Sequence, residues 1–174
     1  RRQGKLDPAI QIYNEAARLW KTEPEVWTAL GSAWLEQGNI EDAHRSAKYA
    51  VHLAADFGPG HIGLGNALIA QGDVDGAIAC YLRALEIDAD DVLARLDLGA
   101  ALARKGDMAA ALEAYSEVVA RQPERGEAHN GLGVVSLALG HLEEAATCFR
   151  GAVTARPTDA EAWYNLAGLG VDLG

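Results

Sequence analysis

The sequence predicts an all-α fold in which one helical hairpin is repeated along the chain. Two observations lead to this prediction. A glycine recurs every 34 residues, at Gly4, Gly38, Gly72, Gly106, Gly140 and Gly174. An apolar residue follows each of the first five glycines by two positions, and an alanine follows each by five. Such self-similarity without insertions indicates a repeat array, in which each unit is stable only when packed on its neighbours.

The first half of each period predicts a helix that ends at the glycine. Between Glu25 and Gln37, apolar and small residues recur at spacings of three and four, so they share one helix face. These residues are Trp27, Leu30, Gly31 and Trp34. Gly38 suits the left-handed conformation that follows many helix C-termini.

The second half predicts another helix, which packs on the first. Asn39 is a suitable cap for its N-terminus, and the connection is so short that the two helices must be antiparallel. Its inner face is formed by Ala43, Ala47, Ala50, Val51 and Leu53. The later periods repeat the two faces with Leu64, Gly65 and Leu68 against Ala77, Tyr81, Ala84 and Leu85; with Leu98, Gly99 and Leu102 against Ala111, Tyr115, Val118 and Val119; and with Leu132 and Gly133 against Ala145, Phe149, Ala152 and Val153.

These residues resemble the tetratricopeptide repeat along the whole chain. Its signature is present as Trp27, Leu30, Gly31, Trp34 and Ala43, and in other periods as Tyr81, Tyr115, Phe149, Pro123 and Pro157. His61, Arg95 and His129 depart from it, because they stand where a large aromatic residue is typical. The resemblance implies a right-handed α-solenoid of stacked helix-turn-helix units, of the kind found in bacterial arrays.

On this pattern, the chain is expected to form a single solenoid domain over residues 1–174. Its parts are a partial repeat at 1–23, full repeats at 24–57, 58–91, 92–125 and 126–159, and a partial repeat at 160–174. Because Arg1 falls inside a repeat, we expect the sequence to be a piece excised from a longer chain. A missing signal peptide is then uninformative, and the compartment stays open, with a cytoplasmic location favoured.

The charge distribution argues against nucleic acid and membrane partners. The net charge is −10, of which −1 falls on residues 1–57 and −9 on residues 58–174. Phosphate binding requires the opposite excess. No apolar run approaches the roughly 20 residues that a membrane span needs. We therefore expect neither nucleic acid binding nor membrane insertion.

The sequence predicts no enzyme activity, no cofactor and no metal. Cys80 and Cys148 occupy equivalent positions two repeats apart, too far for a disulfide, so both are expected to be reduced. No histidine has a second ligand at metal spacing. The segment Gly58–Gly63 reads G-x-G-x-x-G but lacks the βαβ context of a dinucleotide site. We expect a loop there, with Pro59 beginning the next helix.

The resemblance also implies a binding surface, because the first helices of these arrays line a concave groove for extended or helical peptides. The candidate groove residues are Thr28, Ser32, Ile62, Asn66, Leu93, Leu96, Ala100, Arg104, Glu127, Asn130, Val134, Leu137 and Tyr164. The expected partner is a protein or peptide with apolar anchors and basic flanks. An alternative is that Leu35, Ile69, Ala103 and Leu137 only seal one repeat against the next.

Two known uses of such a groove are not expected. Clamps for acidic chaperone tails use lysines, an arginine and asparagines, whereas the corresponding residues here are Ile62, Asn66, Asp97, Glu127 and Gly131. The asparagine ladder of O-linked N-acetylglucosamine transferases is replaced by Ala29, Gly63, Asp97, Gly131 and Asn165. Three functions stay open: an interaction module, a self-stacking scaffold, and the non-catalytic recruiting or regulatory arm of a larger enzyme such as a glycosyltransferase.

The last helix predicts weak self-association. It is expected to run from Ala160 to Leu173, with Trp163, Leu166 and Leu169 on a face that no following helix covers. Terminal repeats of stable arrays normally have a polar outer face. We therefore expect this bare face either to pack weakly on another copy or to fray, with low amide protection from Trp163 onward.

Overall fold

The structure, a computed structural model, describes the backbone of residues 3–170 and the side chains of residues 8–170. These residues form ten α-helices and no strand, which confirms the all-α prediction. The helices are α1 (Gln3–Leu19), α2 (Pro24–Gln37), α3 (Ile40–Leu53), α4 (Gly58–Gln71), α5 (Val74–Ile87), α6 (Val92–Lys105), α7 (Met108–Arg121), α8 (Gly126–Ala138), α9 (Leu142–Ala155) and α10 (Ala160–Gly168). Helices α2, α4, α6, α8 and α10 each begin at the predicted first residue of a repeat.

The turns inside the hairpins form as the sequence predicts. Gly38, Gly72, Gly106 and Gly140 all have φ between 83° and 93°, where a side chain would be strained. After Gly38, the Asn39 side chain accepts a hydrogen bond from the Asp42 N–H at 3.2 Å and caps α3. Asp73 and Asp107 cap α5 and α7 in the same way. Gly4, in the same register, instead lies inside α1.

Small residues of the first helices face aromatic rings of the second helices. A Cβ added to Gly65 would lie 2.5 Å from the Tyr81 ring, and one added to Gly133 would lie 2.6 Å from the Phe149 ring. In the first hairpin Ala47 replaces the aromatic residue, and a Cβ at Gly31 would meet the Ala43 carbonyl oxygen at 3.3 Å. The two helices of a hairpin thus pack on each other either through an aromatic ring or directly, backbone against backbone.

One side chain near the start of each first helix donates a hydrogen bond to the carbonyl six residues earlier. The donor–acceptor pairs are Trp27 with Lys21, 3.0 Å; His61 with Ala55, 3.0 Å; Arg95 with Ala89; His129 with Pro123, 2.8 Å; and Trp163 with Pro157, 2.9 Å. Because a carbonyl oxygen only accepts, Nε2 of His61 and of His129 must carry a proton. The departures from the aromatic signature therefore preserve an N–H donor for the inter-repeat turn.

The chain separates into two compact units, residues 1–97 and 98–174. In the first unit, α1 packs on α2 through Ile10 and Leu30, and the first helices α2 and α4 also contact each other. In the second unit, α9 packs against both α8 and α10. The expectation of one continuous domain stays a prediction.

The expected extent and exposure of the last helix were wrong. Helix α10 ends at Gly168, where Leu169 caps it and Gly170 takes a left-handed φ of 64°; residues 171–174 lie outside the described part of the chain. Leu166 is only 1% exposed, because it packs with Leu169 against Ala145 and Phe149 of the preceding helix α9. Trp163 stays 40% exposed.

The expected loop at the G-x-G-x-x-G segment was also wrong. All six residues lie in α4, which begins at Gly58 and has Pro59 in its first turn. A proline there needs no N–H partner, and it does not interrupt the helix. Gly60 is enclosed: a Cβ at this position would lie 3.1 Å from the Phe57 ring. These glycines therefore serve helix packing rather than phosphate binding.

Candidate functional site

In the unit of residues 1–97, the predicted groove residues lie on α2, α4 and the start of α6. The hydroxyl groups of Thr28 and Ser32 donate to backbone carbonyls of their own helix, at 3.0 and 3.2 Å. Ile62 and Leu96 are half-buried and Leu93 is exposed. This part of the predicted stripe thus combines apolar side chains with hydroxyl groups that are bonded to their own helix.

Asn66 is held in place by a tyrosine of the neighbouring second helix. The Tyr81 hydroxyl donates to Asn66 Oδ1 at 2.6 Å. Burial, and then the charges of Asp97 and Cys80, hold the pKa of Tyr81 above its usual value, so the phenol keeps its proton. The bond orients the Asn66 carboxamide with its nitrogen directed away from the phenol.

In the unit of residues 98–174, three predicted groove residues share a cavity of about 330 Å³ between α6, α8 and α10. They are Glu127, Asn130 and Val134. The rest of its lining consists of Ala103, Tyr115, Gly131, Val135, Asp159 and Glu161. Ala103, for which a sealing role was the alternative, therefore lines this cavity.

Hydrogen bonds across the cavity connect α8 to α10. Asn130 Nδ2 donates to Glu161 Oε1 at 3.2 Å, and Asn165 Nδ2 donates to Asn130 Oδ1 at 2.9 Å. The Asp159 carboxylate accepts from the N–H groups of Glu161 and Ala162 and so caps α10. These two hydrogen bonds fix the orientation of the Asn130 carboxamide in the cavity.

The carboxylates of this cavity are only partly neutralised. Glu127 pairs with Arg156, and Arg125 Nε lies 3.8 Å from its carboxylate. Asp159 and Glu161 are bound through N–H groups that carry no formal charge. The cavity therefore has an acidic side, formed by α10, next to an apolar side that includes Val134 and Val135.

The base of the cavity comes from a residue that the sequence assigned only to the core. Tyr115 projects from α7, and its ring passes Gly99 and reaches Gly131: Cβ atoms added there would lie 3.1 and 2.5 Å from ring carbons. In the sequence, only the glycine at position 131 hints at this contact, because a side chain there would collide with the Tyr115 ring. Sequence spacing alone does not relate it to Tyr115.

The remaining predicted residues of this unit do not line the cavity. Ala100 and Arg104 are exposed on α6, Leu137 is exposed near the end of α8, and Tyr164 is 79% exposed on α10. Asn165, predicted only as part of an absent ladder, contacts Asn130 instead.

The two thiols have no feature of a nucleophile. Cys80 and Cys148 are free. Burial, with Asp73 near the first and Glu144 near the second, raises the pKa of both. A nucleophilic cysteine requires the opposite shift.

Within residues 8–170, the side chains of His, Cys, Asp and Glu form no group of three suited to a metal ion. None of the helices in the described part of the chain has the length and hydropathy needed to cross a bilayer.

Family models of one repeat type match most of the chain. A model described as "Tetratricopeptide repeat" matches residues 1–59, 106–160 and 135–174, and one described as "TPR repeat" matches residues 65–106. A search among curated proteins finds no match.

Solved structures share the fold over nearly the whole chain. A thermophilic TPR protein of Thermus thermophilus superposes with a TM-score of 0.82 at 20% identity, covering 95% of this chain and 91% of that one. YrrB, described as a TPR protein with an unusual peptide-binding site, gives 0.72 at 22%, with coverages of 92% and 83%. A chain of the APC/C hetero-tetramer Cut9–Hcn1 gives 0.84 at 24%, covering 96% of this chain and 33% of that one.

At these identities the structural neighbours show the fold alone, whereas the family models match more than half of the chain by sequence. The glycine turns, the small residues facing aromatic rings and the 34-residue spacing of the helices agree with both comparisons. The chain therefore belongs to the tetratricopeptide repeat family.

Proposed function

We propose that this chain is a protein-interaction module that binds a peptide of a partner, with the cavity between α6, α8 and α10 as the main contact site. The observation that supports this is the Asn130 network: one carboxamide, fixed from both sides, at the centre of a cavity that also holds apolar and acidic groups. Arrays of this family present extended binding surfaces. The peptide-binding site described for YrrB adds support from a protein of the same fold.

The lining of the cavity indicates the chemistry of the partner. A carboxamide both donates and accepts, as a peptide backbone requires. Val134, which is 43% exposed, offers apolar contact, while Asp159 and Glu161 favour a positive charge. The partner is therefore an extended peptide or a helix in which an apolar side chain stands next to a lysine or arginine. The chain itself acts by binding, without catalysis.

Selection from a random peptide display library tests this proposal. The wild-type chain should select peptides with a basic residue next to an apolar one. Glu161→Lys should lower the affinity for the selected peptides at least tenfold, because it reverses a charge in the cavity. A tenfold change corresponds to about 1.4 kcal/mol of binding free energy. Asn130→Ala should weaken peptides irrespective of their charge, through the loss of backbone hydrogen bonds.

Glu124→Lys is the matched control, since it makes the same charge change at an exposed residue outside the cavity. It should bind the selected peptides like the wild type. If Glu124→Lys and Glu161→Lys lower the peptide affinity equally, the loss comes from the change in net charge and not from the cavity. Full binding by both cavity variants would show that the peptides bind elsewhere, and the proposal would be wrong.

A further inference from the structure

A second cavity of the unit 98–174 lies between α7, α8 and α9, with a volume of about 400 Å³. Its lining consists of Leu112 and Ser116 of α7, Leu132 and Ser136 of α8, and Glu143, Glu144, Thr147 and Cys148 of α9. It shares no residue with the cavity between α6, α8 and α10. Its α8 residues each follow a residue of that other cavity by two positions, which turns them by about 200° around the helix axis. The two cavities therefore lie on opposite sides of α8.

A buried hydroxyl group without a partner lines this second cavity. Ser136 is only 1% exposed, and among the described residues its Oγ has no hydrogen-bond partner. The hydroxyl groups of Ser46 and Thr147, by contrast, donate to carbonyls of their own helices, at 2.8 and 2.9 Å. Because buried polar groups in proteins are normally hydrogen-bonded, the Ser136 hydroxyl indicates that the cavity receives a polar group.

The charge of the second cavity is negative and only partly compensated. Glu144 pairs with His141, whose Nδ1 lies 3.2 Å from the carboxylate. In the described part of the chain, the Glu143 carboxylate has neither an ion pair nor a hydrogen bond. Burial, and then the charge of Glu144, raises the pKa of Cys148, so this thiol stays neutral. The lining includes no lysine or arginine, and the cavity therefore attracts a cation.

The lining favours an organic ammonium ion over other cations. Leu112 and Leu132 are half-buried and give the cavity apolar walls, and no group of three metal ligands exists within residues 8–170. A quaternary ammonium ion is usually bound by aromatic rings, and none of the described residues that line this cavity is aromatic. A primary ammonium group has three N–H donors, for which carboxylate and hydroxyl oxygens are acceptors. The volume is within the range of small-ligand sites.

We propose that this cavity is a second binding site, which takes a primary ammonium group on an alkyl chain. The ammonium group donates to the Glu143 carboxylate and the Ser136 hydroxyl, and the alkyl chain packs on Leu112 and Leu132. Both a free alkylamine and the lysine side chain of a partner carry this chemistry. The site does not rest on the function proposed above, because it lies on the other side of α8.

Hexylammonium is the probe that tests this site. It is titrated into the chain with labelled leucine and valine methyl groups, and the NMR signals of Leu112 and Leu132 should shift and saturate. The signals of Leu82, which is exposed on α5, should not move. 1-Hexanol lacks the charge and hexanoate reverses it, so both should bind roughly tenfold more weakly. Equal binding of either compound, or shifts confined to Val134 in the other cavity, would overturn the proposal.

Two variants test the polar contacts. Glu143→Gln should lower the affinity for hexylammonium roughly threefold, as expected for an exposed ion pair. Ser136→Ala should also lower the affinity but not the melting temperature, because its hydroxyl has no partner in the free chain. Glu113→Gln is the matched control, since it makes the same charge change at an exposed residue of α7 outside the cavity. Equal losses in Glu113→Gln and Glu143→Gln, or full binding by both cavity variants, would contradict the site.

A tripeptide with a central lysine and blocked ends separates the two sources of the ammonium group. Tighter binding of the tripeptide than of hexylammonium supports a lysine of a partner protein, and the reverse order supports a free amine. If neither ligand produces saturating shifts at Leu112 and Leu132, the proposal is wrong. Glu161→Lys, which tests the other cavity, should leave these shifts unchanged, so that failure of one proposal is distinguishable from failure of the other.

Discussion

The hydrogen bond from each first helix to the preceding turn places a chemical demand on a single residue. Tryptophan, histidine and arginine satisfy it in this chain, and all three carry an N–H group at the end of a long side chain. A turn carbonyl without a partner is costly when it is shielded from water. The residue type is therefore free to vary as long as the donor stays.

His129 is the position chosen to test this demand; its ring lies directly over Gly151, where an added Cβ would come within 2.7 Å of it. His129→Phe keeps a ring but removes the donor to the Pro123 carbonyl, and it should lower the free energy of unfolding by about 0.5–1.5 kcal/mol. His129→Trp restores the donor found at Trp27 and Trp163 and should be the more stable variant. Urea unfolding compares the two; equal losses would show that ring volume, not the hydrogen bond, matters.

The raised pKa values of the two thiols predict that both cysteines are alkylated slowly. At pH 8, Cys80 and Cys148 contain less thiolate than an unperturbed cysteine, because burial favours the neutral thiol. Alkylation by iodoacetamide in the folded chain should therefore be slower than that of a free cysteine, and it should accelerate as the pH rises above 9. The single variants Cys80→Ser and Cys148→Ser separate the two rates. A rate at or above that of free cysteine would contradict the prediction.

At the scale of helices, the close approach within each hairpin depends on the absence of a side chain. Gly65 and Gly99 lie directly over the rings of Tyr81 and Tyr115. Glycine is otherwise a poor helix former, worse than alanine by about 1 kcal/mol. The two glycines are therefore retained against helix propensity, for packing.

Gly65→Ala and Gly168→Ala should have opposite effects. At Gly65 a methyl group would lie 2.5 Å from the Tyr81 ring, and overpacking of this kind costs about 1–3 kcal/mol. At Gly168, the last residue of α10, nothing lies within 4 Å, so a gain in helix propensity should remain, smaller than the roughly 1 kcal/mol of a helix interior. Thermal and urea unfolding measure both. A Gly65→Ala variant as stable as the wild type would mean that the tyrosine can move aside.

At the scale of the whole molecule, the buried phenol of Tyr81 and the half-buried thiols predict that the fold is less stable at alkaline pH. Tyr81, Cys80 and Cys148 have pKa values raised in the folded chain. Groups of this kind stabilise the fold fully below their unfolded pKa values, and that stabilisation is lost as the pH rises through the folded values. Since the ordinary cysteine value is 9.0 and that of tyrosine is 10.0, the free energy of unfolding should fall above about pH 9.

Urea unfolding between pH 7 and pH 11 checks this expectation. Tyr81→Phe is the informative comparison: it loses the bond to Asn66 at every pH, but its stability should fall less steeply above pH 10. A wild-type free energy of unfolding that stays constant or rises over this range would contradict the assignment of Tyr81 as a buried proton donor.

The sequence by itself determined the fold of this protein in considerable detail. The left-handed turn at Gly38, the cap at Asn39 and the place of Pro59 in the first turn of α4 all follow from local rules. Each depends on the conformational range or hydrogen bonding of a few consecutive residues, which a repeat then copies. The exposure of Leu166 was misjudged, because the repeat pattern shows the helix that follows a face but not the preceding helix that already covers it.

Tertiary structure alone decided the composition of the candidate site. The sequence placed Glu127, Asn130 and Val134 on one stripe, but it did not bring Tyr115, Asp159 and Glu161 to the same cavity. The bond from Asn165 to Asn130 joins residues 35 positions apart on different helices. Such contacts depend on the distance and rotation between packed helices, and these are set by the rings and glycines between them rather than by any periodicity along the chain.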